Sequence, residues 1–148
     1  MRPSPVEMLS AQVCSNDKLS FLMEAHDGLS ATIAQRSGFK GLRASGLSIA
    51  SSLSYGDANE ASWSQLVQSV ERMVDSTELA VLVDGDGSFG NFDNARLLAR
   101  KLRQAGAARV SLEDSCFPKL NSLIGERPPL ADIDEFCGRL QAVKDAVA

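Results

Sequence analysis

A chain of 148 residues with 44% hydrophobic and 23% charged side chains is long enough for one globular domain, too short for two comfortable ones, and too apolar to be disordered. Its net charge of -4 and its lack of any long Lys/Arg block exclude a duplex-binding face, so no nucleic-acid partner is expected. No apolar run reaches the ~18 residues that cross a bilayer, and the first residues lack a signal-type apolar core, so no membrane partner is expected either. Cys14, Cys116 and Cys137 are far apart and odd in number, which argues against a disulfide framework and a thiolate zinc site and suits a cytoplasmic protein with reduced thiols.

In chain order, residues 1–18 read as a lead-in of at most one helical turn, followed by a single domain over 19–148. "LSFLMEA" (19–25) is a first short apolar run. "GLSATIAQRSG" (28–38) spaces Leu29, Ile33 and Ala34 as one helix face and stops at Gly38. "FKGLRASG" (39–46) predicts a second strand, and Ser54 to Glu60 a polar loop. Residues 60–77 place Trp63, Leu66, Val67, Val70, Met73 and Val74 on one side of an amphipathic helix. "LAVLVD" (79–84) is a third strand, apolar on both faces, as a buried parallel strand should be. A helix over 94–106, a strand over 107–114, a loop over 116–129 and a helix over 130–147 complete the pattern. Four βα units in succession imply a parallel sheet, either doubly wound or half of an eight-fold barrel.

The polar residues gather where the apolar runs end: Ser45 and Gly46, then Asp84 and Asp86, then Glu113 and Asp114. That is the carboxyl edge, where both parallel architectures carry their ligands. Asp84, Asp86 and Glu113 are hard oxygen donors from neighbouring strand ends, a set suited to Mg²⁺; the plainer alternative is solvated loop acids or helix caps. "GDGSFGN" (85–91) lacks P-loop or dinucleotide spacing, and its acid would repel phosphate, so its glycines are expected to supply positive φ and close backbone approach. "CFPKLNS" (116–122) offers Lys119, Asn121 and Ser122 either as an ordinary surface loop or as a lid over an anionic ligand. His26, the single histidine, reads as structural, and Pro128 and Pro129 simply precede a helix.

"EAHDGLSATIAQRSGFKGLRASGLSIASSL", "DANEASW", "DGDGSFGNFDNARLLARKL" and "EDSCFPKLNSL" together resemble the phosphoenolpyruvate mutase family of the isocitrate lyase superfamily, in order and with family-like spacing from about residue 20 onward. The resemblance implies a (β/α)8 barrel of TIM type, of which this chain would hold about four βα units. It also implies Mg²⁺, a small oxo-acid substrate (phosphoenolpyruvate or phosphonopyruvate) and a homo-oligomer. By position it makes Asp84 the most direct metal contact, with Asp86 and Glu113 acting around the ion. It places Ser45, Gly46 and Leu47 on the substrate carboxylate and oxo group, Asp57 near the reacting phosphoryl group, and Lys119, Asn121 and Ser122 in a gating loop. Asn121 favours the mutases, since the related phosphonopyruvate hydrolases tend to carry Thr there, and Cys116 lacks the sequence context of the superfamily's cysteine-bearing lyases. Phosphonopyruvate hydrolysis, another oxo-acid lyase activity, or a non-catalytic half-barrel are the alternatives. The chain departs from the family pattern at Arg43 (usually Trp), at Ser115 (usually Lys) and in "DGDGSFGN" (usually close to D-A-D-T-G-Y-G-N). Four units would leave two open sheet edges, from which self-association is expected.

Overall fold

The computed structural model describes residues 3–121 and 129–148. Among them the order is α1 (Pro5–Val13), β1 (Leu22–Ala25), α2 (Gly28–Arg36), β2 (Gly41–Ala44), α3 (Gly46–Ser52), α4 (Trp63–Ser76), β3 (Ala80–Asp84), α5 (Phe92–Gln104), β4 (Arg109–Ser111) and α6 (Ile133–Val147). The four strands form one sheet in the order β1-β2-β3-β4, every pair parallel. This settles the choice left open by periodicity. A doubly wound sheet reverses its strand order and carries helices on both faces. Here the order never reverses, and α2, α4 and α5 all supply the core beneath one face, so the architecture is that of half a barrel.

That core follows from the two-residue period of a strand. Ala25, Leu42, Ala44, Val81 and Val83 project to the helix side and pack against Ala31 and Ala34 of α2, Leu66, Val70 and Met73 of α4, and Leu98 and Leu102 of α5. The helices start where the chain can cap them. Asp27 and Ser62 each accept a backbone N–H three residues on, and Ser30 and Gln65 accept the cap's own N–H in return. α4 runs over the stretch expected of it, trimmed at both ends.

Three local expectations change. The lead-in is not a single turn: Pro5–Val13 is a nine-residue helix opened by a reciprocal Ser4–Glu7 capping box. It lies on the other face of the sheet, where fully buried Leu9 meets Ala80 and Ala108, flanked by Leu22 and Leu82. Gly41 allows this approach, since a Cβ there would stand 2.6 Å from Leu22 Cδ2 and 3.1 Å from Gln12 Oε1. Gln12 also donates to the Lys40 carbonyl at 2.7 Å, and Arg109 to Ser10 Oγ at 2.7 Å. Second, α3 is absent from the sequence reading because "GLSIASS" is rich in small residues and buries only Ile49 and Ala50, too few to show a period. Third, the strands are shorter than the apolar runs: Leu19 and Phe21 precede β1 and stand exposed, because pairing with β2 begins only at Leu22 opposite Gly41.

β1 and β4 are the outer strands, and neither outer edge meets another strand among the described residues, as expected of four units. No helix among the described residues is long and apolar enough to cross a membrane. Since α1 closes the lower end of the inner face through one leucine, Leu9→Ala is expected to lower unfolding free energy by about 2–4 kcal/mol in urea titration. A loss below about 0.5 kcal/mol would mean that α1 is not packed as described.

Candidate metal centre

On the inner face, residues in register share a side, so Glu24, Arg43 and Leu82 form one row and Asp84 and Ser111 the row above it. The acids are therefore delivered by strand ends, above the level that α1 closes. Asp84 is the last residue of β3. Asp86 follows two residues later, and Glu113 two residues beyond β4. One carboxylate oxygen from each of Asp84, Asp86 and Glu113 lies within 4.8 Å of the others. Backbone bonds fix this convergence: Gly85 donates to the Ser111 carbonyl and Glu113 to the Asp86 carbonyl, each at 2.9 Å.

The glycines from Gly85 to Gly90 supply positive φ and close approach as expected, but they share the positive φ with other residues. Positive φ falls on Asp86 (45°), Ser88 (72°) and Phe89 (58°), and among the loop's glycines only on Gly90 (137°). Gly85 and Gly87 are there for space instead. A Cβ on Gly85 would lie 2.6 Å from Val110 Cγ2, and one on Gly87 3.3 Å from Arg139 Nη1. Left-handed backbone on non-glycine residues costs energy and persists where the surroundings enforce it. Part of that enforcement is Arg139 of α6, fully buried, which donates from Nη1 to the Gly87 carbonyl at 2.7 Å.

Three acids this close repel one another, and two cations answer them. Lys119 Nζ sits 2.8 Å from Asp57 Oδ1, 2.7 Å from Asp86 Oδ1 and 3.7 Å from Glu113 Oε1. Burial works against its charge, but the hydrogen bonds to Asp57 and Asp86 and the attraction of Asp86 and Glu113 outweigh it and hold the ammonium above the ordinary lysine range. Burial is the main influence on Asp86 and pushes its carboxyl above the usual value; the hydrogen bond and charge of Lys119 oppose that rise, while Asp84 and Glu113 add to it. Arg43 Nη2 donates to Asp84 Oδ2 at 2.8 Å, with Nη1 3.8 Å from Glu24 Oε1. Asn59 links loop and acid, donating from Nδ2 to Asp86 Oδ2 at 3.0 Å while its Oδ1 accepts the Lys119 backbone N–H at 2.9 Å.

The other expected site residues fall around this cluster. Ser45 is buried and caps α3, accepting the Ser48 N–H, so its hydroxyl is already engaged locally. Gly46 brings the start of α3 close, since a Cβ would lie 3.3 Å from Asp86 Oδ1. Leu47 is exposed beside it. Asn121 is half-buried at the end of the described part of its loop, and Ser122 lies outside the described residues. Ser115 donates to Glu113 Oε2 at 3.3 Å. Asn59 and Arg139 were missed as site residues. Asn59 is one polar residue in a polar loop, and nothing in helix periodicity distinguishes a buried arginine from a solvated one.

The donor set fits a small, hard divalent cation: three carboxylates, two of them buried, with one oxygen of each within 4.8 Å of the others. Asp84 at the end of β3, Asp86 two residues on and Glu113 beyond β4 are the residues that would hold it.

Comparison with known proteins agrees with this fold. The family model for phosphoenolpyruvate phosphomutase matches residues 11–148. A phosphoenolpyruvate phosphomutase of Tetrahymena pyriformis is 50% identical over 128 residues, covering 86% of this chain and 43% of that protein. The one from Streptomyces hygroscopicus is 48% identical over 126 residues, covering 84% and 40%. This chain thus spans less than half the length of these relatives. Among solved structures, a phosphoenolpyruvate phosphomutase from Streptomyces platensis subsp. rosaceus superposes with a TM-score of 0.90 at 35% identity, over 97% of this chain and 50% of that one. A phosphonopyruvate hydrolase in complex with oxalate and Mg²⁺ superposes with a TM-score of 0.87 at 29% identity, over 99% and 49%. The half-barrel described above is shared with TIM-type barrels of the phosphoenolpyruvate mutase and isocitrate lyase superfamily, and the chain belongs to the phosphoenolpyruvate phosphomutase family.

Proposed function

We propose that this chain carries the metal-binding and oxo-acid-binding half of an enzyme that interconverts phosphoenolpyruvate and phosphonopyruvate, with Mg²⁺ held by Asp84, Asp86 and Glu113. The observation that carries this reading is the meeting of those three acids with Lys119 at the carboxyl edge of the sheet. The identity to phosphomutases supports it over the hydrolase alternative, whose representative in Variovorax is 33% identical. Three free cysteines suit a cytoplasmic setting.

In this reading Mg²⁺, when bound, polarises the oxo group and stabilises enolate charge. The isomerisation moves a phosphoryl group between the enol oxygen and the terminal carbon, with no net gain or loss of water. The chain's own residues then have separate tasks. Ser45, Gly46 and Leu47, at the start of α3, receive the substrate carboxylate and oxo oxygen. Lys119 and Asp57 face the migrating phosphoryl group, the ammonium attracting its oxygens and the carboxylate helping to orient that ammonium. Asn121 extends the same loop. The pairs from Lys119 to Asp57 and Asp86 tie this loop to the acids, and a loop held there keeps out the water that would otherwise capture the phosphoryl group. Among the described residues the outer edges of β1 and β4 meet no further strand, which supports association with further strands or with a second copy in a homo-oligomeric enzyme.

Two measurements test this. Calorimetric titration with oxalate should show binding only with Mg²⁺ present, lost with EDTA and weakened at least about tenfold in Asp84→Ala; metal-independent binding of equal strength would contradict the assignment. With phosphonopyruvate as substrate, ³¹P NMR should show Mg²⁺-dependent formation of phosphoenolpyruvate, slowed about 10²–10³-fold in Lys119→Met. Accumulation of inorganic phosphate and pyruvate instead would transfer the chain to the hydrolases.

A further inference from the structure

Arg43 lies in the middle row of the inner face, between Glu24 on β1 and Leu82 on β3, one row below the acids. Its guanidinium reaches up to Asp84 Oδ2 at 2.8 Å while its other terminal nitrogen stays 3.8 Å from Glu24 Oε1. Among the described residues, the remaining oxygen of Asp84 accepts a long bond, 3.4 Å, from the Asp86 N–H. Asp84, whose side chain is 10% exposed, thus has its best acceptor committed to a fixed cation. A guanidinium carries donors only and keeps its proton at any accessible pH, so it cannot relieve a conflict with a second cation by losing charge.

We propose that Arg43 sets the affinity and salt dependence of the divalent-ion site by competing with the ion for Asp84 Oδ2. The inference rests on the reading of Asp84, Asp86 and Glu113 as metal ligands and adds a determinant to it. An ion approaching Asp84 either displaces the guanidinium or binds beside it, and both routes cost affinity. The side chain is 40% exposed and can swing aside without unpacking the core, and Glu24 provides a second carboxylate to receive it. Lys119 does not duplicate this role, since its partners are Asp57, Asp86 and Glu113 and not Asp84.

The test is direct Mn²⁺ titration of the chain, free ion being counted by electron paramagnetic resonance, without substrate or turnover. Arg43→Gln and Arg43→Met, both neutral and similar in length, should bind Mn²⁺ about tenfold more tightly than the parent at low salt, with the advantage shrinking as ionic strength rises. Arg43→Lys, which retains the charge, should stay near the parent. Unchanged or weaker binding in both neutral variants, while Asp84→Asn still loses the ion, overturns the role of Arg43 and leaves the metal site standing. Equal Mn²⁺ binding by the parent and Asp84→Asn overturns the metal assignment and this inference with it.

Discussion

Like charges crowded at the carboxyl edge of one sheet are the constraint around which this structure is organised. Glu24, Asp57, Asp84, Asp86 and Glu113 are only partly offset by two cations, Arg43 and Lys119. Asp84 and Asp86 are buried and hold their charge only with partners, and the excess of negative charge around them suits the divalent cation proposed above. The division of labour is spatial. Arg43 serves the strand-borne acid from below, on the inner face of the sheet. Lys119 serves the loop-borne acids from above, on a segment that follows β4. One partner belongs to the rigid scaffold and the other to the loop, so the loop's position and the charge balance of the site are coupled.

The scaffold explains why the acids meet at all. A parallel sheet brings successive strand ends to one edge, and the short spacing between neighbouring strands places Asp84 beside the segment carrying Glu113. The loop after β3 must then turn within a few residues. It does so with left-handed backbone at Asp86, Ser88 and Phe89 and with two glycines whose missing side chains let Val110 and Arg139 press in. α6 contributes at a distance through the Arg139–Gly87 bond. Strain at the loop and packing beneath it are two sides of one arrangement.

Much of this was legible in the residues, for identifiable reasons. "LAVLVD" announces a buried parallel strand with an acid at its tip, and the amphipathic stripe of 60–77 defines α4. Periodicity could not separate the two parallel architectures, because both alternate strand and helix; the strand order, with α2, α4 and α5 on one face, decides it. α1 was underestimated because most of its residues are exposed and its anchoring depends on Leu9, which no local pattern marks as buried. The glycines of 85–91 supply the positive φ and close approach their letters suggest, but which glycine does which is not legible, nor is the left-handed backbone at Asp86, Ser88 and Phe89. Arg43 was visible as a departure from the family pattern, but its partner, 41 residues away, was not.

Diffraction from crystals soaked in Mn²⁺, with anomalous differences recorded near the manganese edge, bears most directly on the account. It predicts a single strong peak among the carboxylates of Asp84, Asp86 and Glu113, touching at least one of the two aspartates. No peak there, with ordered density for all three side chains and manganese bound elsewhere, would contradict the claim that these acids form a divalent-ion centre.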